Sequence, residues 1–583
     1  MKTLGVGAAA FLSSKMDAKP LIPPNIIICM TDDQGFGDIG FHGNPDIQTP
    51  VLDNLARRSV RFNNFYVSPV CAPTRASLMT GRYSLRTGVF DTYNGGAIMA
   101  EQEKTLAELL QSAGYITGIF GKWHLGDNYP FRPMDRGFQH SLIHCAGGIG
   151  QVGDVRNYFK FDKSYFDPFL LKDGQPVKTR GYCSDVFTDA AIAFIKQKRN
   201  RPFFLYLSFN APHTPLQVPD EYYQKYKGLV PSPDRYPSMG QPFPDMNERE
   251  IEVARKVYAM VTNIDYNLGR LFQTLNQLDL SSNTAVIFLT DNGPQQRRYV
   301  AGLRGRKGSV FEGGVKVPCF MRLPGRLPEN LEIDTPAAHI DLFPTVLALC
   351  GIPAADDILI DGKTLLPVVD KKPMDWADRP LFFHWQRGFP EPYNNIAVRK
   401  GRYKLVGKSS HGASEKAFEL FDLEKDPYEL ENIQAIHPGI TSDLIAEFDT
   451  WYEEMMESPH LRQIQRMKLG TRHENPVILN RNDAKGSEGI WAQDKIYGYW
   501  DVEVTEDGLY DFSFHFKEKV IGEGVVKLRM GTLQRSLENA DTEASILRLK
   551  SIHLKKGNYR LEPWYRAQGE NYFPFYVEVK KRQ

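Results

Sequence analysis

Residues 25–35 read NIIICMTDDQG: five uninterrupted apolar positions at 26–30 run straight into Thr31, two aspartates and a glycine. An apolar run of this length without polar alternation suits a strand covered on both faces, so the stretch predicts a central parallel strand with an acidic carboxyl end. Three more runs share the form. Residues 116–120 (ITGIF) lead into Gly121-Lys122-Trp123-His124, 203–209 (FFLYLSF) into Asn210-Ala211-Pro212-His213, and 285–289 (AVIFL) into Thr290-Asp291-Asn292-Gly293. Between them lie amphipathic, helix-like stretches at 105–113, 185–198 and 250–278. The alternation predicts an α/β fold, a mostly parallel central sheet sandwiched by helices. Strand carboxyl ends of such a sheet share one edge, where ligands bind, so polar residues far apart in sequence are expected to meet there. Helix capping and turn formation explain the Asp, Asn and Gly of any single exit, but poorly explain four such exits together.

A chain of 583 residues holds more than one domain, and 42% hydrophobic with 24% charged residues is ordinary globular composition. Seventy-one Lys plus Arg oppose seventy Asp plus Glu, a net charge of +1, which supplies no global field for nucleic acid or an acidic membrane surface. Any anion must be held locally. No stretch approaches about eighteen consecutive apolar residues, so no membrane span is expected. Residues 1–20, with an apolar run at 4–12, read as an export signal remnant or a disordered extension, similar to the back half of a twin-arginine leader; a periplasmic or secreted protein follows from the first reading. The texture divides the rest into an α/β domain at 21–373, a small antiparallel-sheet plus helix subdomain at 374–470, and an accessory β-sandwich at 475–583. The hairpin-like NIAVRKGRYKLV at 395–406 and a helix at 440–456 mark the second unit; YWDVEVTEDGLYDFSFHF at 499–516 marks the third. In that last unit Trp491, Trp500, Tyr510, Trp564 and Tyr565 are candidates for stacking on sugar rings, though aromatics of a small sandwich more often fill its core.

Asp32, Asp33, Asp291 and Asn292 form an all-oxygen donor set, which suits a hard divalent cation, Ca²⁺ before Mg²⁺, rather than zinc or copper. Neighbouring strand residues point to opposite faces, so Asp32 and Asp33 can share an ion only where the chain has left the strand; Gly35 and Gly37 permit that bend. The GFGDIG at 35–40 fits a dinucleotide-binding pattern, but Pro45 and Pro50 follow where a helix would have to begin. Residues 70–82, VCAPTRASLMTGR, place Cys71 beside arginines, yet Ser77 stands where a phosphatase-type C-x5-R loop needs arginine. Six cysteines without a C-x-x-C pair argue against a zinc knuckle or a disulfide scaffold.

Cys71, Pro73, Thr74, Arg75, Thr80, Gly81 and Arg82 match the sulfatase signature C-x-P-S/T-R followed by T-G-R, in which the cysteine is oxidised to formylglycine. With DDQGFGDIGFHG (32–43), GYITGIFGKWHLG (114–126), APHTP (211–215), TDNG (290–293) and RGRKGSVFEGGVKVP (304–318), the chain resembles a type I formylglycine-dependent sulfatase of the alkaline-phosphatase-like superfamily. The resemblance implies that Asp32, Asp33, Asp291, Asn292 and an oxygen of modified Cys71 hold the metal. It implies that Arg75, Lys122, His213 and Lys307 bind the sulfate, and that they and His124 carry the proton transfers. The hydrated aldehyde would attack sulfur, His213 or Lys307 would protonate the leaving oxygen, and His124 would deprotonate the second hydroxyl so that sulfate departs. A formylglycine-generating or radical maturation enzyme is then a required partner, and a sulfated carbohydrate or aryl sulfate the substrate. His42, His144, Arg297, Arg298 and Arg304 are candidates for further substrate contacts. Alternatives are a phosphodiesterase or phosphonate monoester hydrolase of the same superfold and, in another class, a non-catalytic carbohydrate-binding protein.

Overall fold

The computed structural model describes residues 23–160, 162–197, 200–353, 358–372, 376, 378–408 and 417–582; the signal reading of 1–20 falls outside them. The strand Asn25–Thr31 is buried along its whole length. Ile26, Ile28 and Met30 pack on one side with Ala76, Met79, Leu106 and Phe343, while Ile27 and Cys29 pack on the other with Phe187, Met260, Ile264 and Leu268. Alternate side chains therefore enter two separate cores, which is why this strand carries no polar residue between its ends.

The sheet has ten strands in the order Leu331–Ile333, Val60–Phe62, Cys319–Arg322, Thr284–Thr290, Asn25–Thr31, Phe203–Ser208, Ile116–Lys122, His140–His144, Phe169–Lys172, Gln175–Lys178. The five from Thr284–Thr290 to His140–His144 are mutually parallel, and antiparallel pairs begin on either side of them. Thr31 lies opposite Thr290, Met30 opposite Ser208, and Gly121 opposite Ser208, so the four polar exits leave the sheet at one level.

Two of the covering helices start where side-chain caps satisfy free backbone N–H groups. Glu248–Gln277 opens on a capping box between Asn247 and Glu250, and Leu106–Ser112 on one between Thr105 and Glu108. Cys183–Lys196 begins two residues before its expected position.

Beyond the large sheet, Leu381–His384, Ile396–Lys400, Tyr403–Gly407 and Phe418–Asp422 form an antiparallel sheet in sequence order, with Lys400 paired to Tyr403 across the expected hairpin. Helix Pro438–Met456 covers it through Leu444, Phe448, Trp451 and Met455. Two further sheets follow, one built around Gly498–Val504, Gly557–Ala567 and Gly524–Met530, the other around Tyr576–Lys581 and Gly508–His515. Met467–Leu469, within the segment read as part of the second unit, pairs with Gly498–Val504 and belongs to these C-terminal sheets. Their shared core takes in Trp500, Tyr510 and Tyr565, which are thereby core residues and not sugar platforms, together with Ile98 and Phe131 of the α/β unit. Polar ties reinforce that junction: Gly486 N donates to Asn94 Oδ1 at 3.0 Å, Asn480 Nδ2 to Asp127 Oδ2 at 2.9 Å, and Asp127 N to Asp483 Oδ2 at 3.2 Å. All six cysteines are free thiols.

Gly121 shows how tightly the exits are packed. It has φ +119°, and a Cβ there would sit 1.8 Å from the carbonyl oxygen of Ser208. Gly121→Ala must separate two central strands, and thermal unfolding should show a loss of about 3 kcal/mol or more; an unchanged Tm would contradict this account of the exit.

Candidate active site

Thr31 ends its strand, and Asp33 turns the chain with φ +65°. This left-handed residue lets two consecutive aspartates face one site. The turn is pinned from behind. Buried Arg298 holds Asp38 through an ion pair at 2.5 Å and donates to Asp33 O at 2.9 Å, while Asp38 Oδ2 accepts from Gly35 N at 2.7 Å. No helix starts in the glycine-rich segment; a short 3₁₀ turn, Gly40–His42, follows it.

Each carboxylate of the cluster meets one cation. Lys122 Nζ lies 2.7 Å from Asp32 Oδ2, Lys307 Nζ 2.6 Å from Asp33 Oδ1, and Arg75 Nη2 2.7 Å from Asp291 Oδ2. Asp33 N donates to Asp291 Oδ1 at 3.2 Å, and Asn292 Nδ2 to Asp33 Oδ1 at 2.8 Å. Three oxygens are left over: Asp32 Oδ1, Asp33 Oδ2 and Asn292 Oδ1 are buried with no hydrogen-bond partner. Burial and neighbouring Asp32 raise the Asp291 carboxyl to about 6. Burial would raise Asp33 too, but Lys307 and then His213 hold it well below the usual carboxylate range. Orphaned oxygens are costly unless something occupies them. A set made only of oxygen, with acids under mutual repulsion, fits a hard divalent cation. Carboxylate oxygens of Asp32 and Asp291 and the Cys71 sulfur all lie within 4.8 Å of one another.

Cys71 opens the helix Cys71–Thr80, all of whose residues are buried. The signature positions have local reasons. Thr74 Oγ1 donates to Ser68 O, Thr80 Oγ1 to Ala76 O, Gly81 ends the helix at φ +70°, and Arg82 pairs with Glu103 at 2.7 Å. Burial raises the Cys71 thiol despite nearby Lys122 and Lys307, so a thiolate is disfavoured here. The sulfur lies 3.5 Å from His124 Nδ1, and His124 Nε2 lies 2.8 Å from the Thr92 carbonyl. That carbonyl can only accept, so Nε2 carries the proton and Nδ1 offers its lone pair to residue 71. Burial and Lys122 keep this imidazole neutral, well below its ordinary pKa. Lys122 and His124 reach the site without the extended segment expected between them, because His124 turns at φ +62°. His213 places Nδ1 2.8 Å from Thr214 O and Nε2 3.7 Å from Asp33 Oδ2; burial and Lys307 depress its pKa to about 3.

Above this floor opens a cavity of about 650 Å³ lined by Cys71, His124, His213 and Lys307. Arg75 and Lys122, expected on the sulfate, lie beneath it; Arg75 donates to Asp291, Lys122 O and Ser208 Oγ and so positions the acidic exit. None of the five further contact candidates lines the cavity. His42 binds Phe36 O and stacks on its ring, His144 faces Cys145 O, Arg297 reaches Asp245 O, Arg298 is the clamp on Asp38, and Arg304 pairs with Glu419. Gln151, Gln295, Asn482, Trp385, Arg387 and Thr92 are among the lining residues that the sequence does not mark. They sit outside helices and strands, where no hydrophobic period runs, and nothing local marks them.

The sulfatase family model matches residues 24–352, and the model described as N-sulphoglucosamine sulphohydrolase, C-terminal matches 306–454. The chain is 32% identical over 410 residues to the N-acetylgalactosamine-6-sulfatase of Canis lupus familiaris, covering 66% of this chain and 71% of that one. It is 30% identical over 478 residues to human arylsulfatase A, covering 73% and 86%. The crystal structure of Ps i-CgsB superposes with a TM-score of 0.64 at 29% identity, covering 75% of this chain and 94% of that one. Family match, fold and converging strand exits agree: this chain belongs to the sulfatase family and is a sulfuric ester hydrolase of the alkaline-phosphatase-like superfamily.

Proposed function

We propose that the protein removes sulfate from a sulfated carbohydrate outside the cytoplasm, using formylglycine made from Cys71 and a divalent cation, Ca²⁺ or Mg²⁺. The observation that carries the reading is the set of three unpartnered oxygens, on Asp32, Asp33 and Asn292, grouped with Cys71 under an open cavity. Asp32, Asp33, Asp291 and Asn292 would hold the ion. When bound, it supplies Lewis acidity toward a sulfuryl oxygen and favours ionisation of a hydroxyl. Formylglycine, once hydrated, supplies a second hydroxyl that Ser and Cys lack. A carbohydrate substrate is supported by the relative named for N-acetylgalactosamine 6-sulfate and by the Ps i-CgsB structure determined with k-i-k-neocarrahexaose. Export is supported by the composition of residues 1–20, and among the described residues no helix is long and apolar enough to cross a membrane.

The chain's own residues divide the work. Three acids and three cations cancel at the floor, so an added dication leaves the site positive and selective for an anionic ester. His124 takes a proton from the side chain at position 71 through Nδ1, its tautomer held by Thr92 O. Lys307 remains protonated: burial alone would lower its pKa, but Asp33 raises it. It lines the cavity while neutral His213 turns its Nδ1 proton to Thr214. Lys307 is therefore the group with a proton to give the leaving oxygen, and His213 lines the cavity with Nε2 free to act only as an acceptor.

Cys71→Ala should abolish sulfate release, by at least about 10⁴-fold in kcat, while leaving the melting curve within a few degrees. The assay runs over sulfated mono- and oligosaccharides with residue 71 of the wild type checked by mass spectrometry; retained release by the mutant refutes the mechanism. Chelation by EDTA should lower Tm by a few degrees and excess Ca²⁺ should restore it, since an ion held 100-fold above its Kd contributes about 2.7 kcal/mol. Superimposable melts with and without chelator would remove the ion from the account. Lys307→Ala should slow release from a sugar sulfate about 10²-fold more than from 4-nitrophenyl sulfate, whose leaving group needs no proton. That dependence in His213→Ala instead would exchange the two roles.

A further inference from the structure

The family models end at residue 454, yet the cavity does not. Part of its wall comes from Asn482, Gly489, Trp491 and Ala492 of the C-terminal sheets, and part from Trp385 and Arg387 beside the small antiparallel sheet. Resting on the proposed function, we infer that the loop carrying Trp491 is a built part of the substrate site, and that Trp491 and Trp385 form the ring-packing walls for the sugar that carries the sulfate.

The wall adjoins the reacting end. Trp385 packs so closely on Gly308, the neighbour of Lys307, that a Cβ on that glycine would lie 2.9 Å from the indole. Asn395 Nδ2 locks the pair, donating to Gly308 O at 2.7 Å and Trp385 O at 2.6 Å. Arg387 is held by Asp91 Oδ1 at 2.9 Å and Thr92 Oγ1 at 2.7 Å, and its guanidinium stands over the rings of Tyr93 and Trp385, 4.9 and 5.1 Å from their centroids. The wall is thus ordered before any ligand arrives, which lowers the entropy cost of binding. Trp385 Nε1 is buried and has no hydrogen-bond partner, although a buried indole N–H ordinarily finds one.

Trp491 is positioned from the C-terminal core. Its neighbour Ile490 is fully buried there, Ile490 N donates to Ser487 O at 3.1 Å, and Ser487 N to Tyr497 O at 3.2 Å. Gly486 N at the base of this loop binds Asn94 Oδ1. Trp491 itself is only partly buried and lines the cavity, unlike Trp500, which is fully buried and donates to Asn480 O. Gln151, Gln295 and Asn482 line the same cavity as the two tryptophans. Apolar ring faces interleaved with amides suit a pyranose, which has C–H faces and a rim of hydroxyls; an aryl alcohol would use only the former.

The test compares Trp491→Ala with wild type on chondroitin 6-sulfate and κ-carrageenan tetrasaccharides and on 4-nitrophenyl sulfate. The expected result is a fall in kcat/KM at least about tenfold greater for the better tetrasaccharide than for the aryl ester, carried mainly by KM, with Trp491→Phe restoring most of it. Equal losses on both substrate classes, or no loss, overturn the inference. A calorimetric arm measures tetrasaccharide binding to Cys71→Ala protein with and without Trp491→Ala, where a tenfold weakening is expected. Trp491-dependent binding by a protein whose mature wild type releases no sulfate would sink the proposed reaction and leave this subsite standing; binding indifferent to Trp491 would sink the subsite alone.

Discussion

Three carboxylates taken out of water onto one sheet edge repel one another, and the surroundings of the site are arranged to offset that repulsion. Two like charges 4 Å apart near a protein surface interact by about 4 kcal/mol, so Asp32, Asp33 and Asp291 cannot stay ionised together unaided. Lys122, Lys307 and Arg75 each answer one of them, and each arrives from a different element. Lys122 ends a parallel strand, Arg75 lies in the helix begun by Cys71, and Lys307 comes from the loop after Asn292. The parallel register of the central strands is what lets these cations and acids meet. Even so, three oxygens remain without partners, and a polypeptide with spare donors nearby, such as Lys307, has not satisfied them. The cluster reads as a neutral base prepared for additional positive charge, not as a structural ion-pair network.

That a neutral chain handles an anionic substrate follows from the same arrangement. Desolvated cations beneath a cavity act at short range and are screened far less than surface charge. Arg75 contributes by holding Asp291 in place and Lys122 by holding Asp32, so both shape the field without touching the cavity. Cys71 sits against this field with its thiol pushed up by burial, which makes it a poor thiol nucleophile and a suitable place for an oxygen function next to oxygen donors.

The carboxyl ends of strands were legible in the sequence because continuous apolar runs such as 26–30 have one interpretation in an α/β chain, and because their polar exits are contiguous with them. The alternation with amphipathic stretches likewise exposed the helices to within two residues at Cys183–Lys196 and Glu248–Gln277. What stayed hidden depends on backbone turns and on distant packing. The φ of +65° at Asp33 and +62° at His124 re-aims side chains in a way no periodicity reports. Arg298 is only a candidate substrate contact in the sequence, since its partner Asp38 lies 260 positions away and burial of that pair turns the arginine inward. Trp491 and Trp500 look alike in sequence; only the route of the chain between Ile490 and Tyr499 puts one at the cavity and the other in the core.

The junction between the C-terminal sheets and the α/β unit then has a chemical consequence as well as a mechanical one. The segment from Asp91 to Asn94 is held from three directions: Arg387 binds Asp91 and Thr92, Gly486 binds Asn94, and His124 binds the Thr92 carbonyl. A single short segment therefore fixes the tautomer of His124 beside Cys71 and anchors the wall that includes Trp385. Reaction and recognition are encoded in different stretches, the former within the region matched by the sulfatase model and the latter running past it to Ala492. Substitutions at 385–387 or 487–493 can reshape the cavity wall without entering the carboxylate network, because no side chain of either stretch is bonded to Asp32, Asp33, Asp291 or their cations. A fold built this way can exchange one sulfated ligand for another while the cost of keeping three acids buried is met once, by the same three cations.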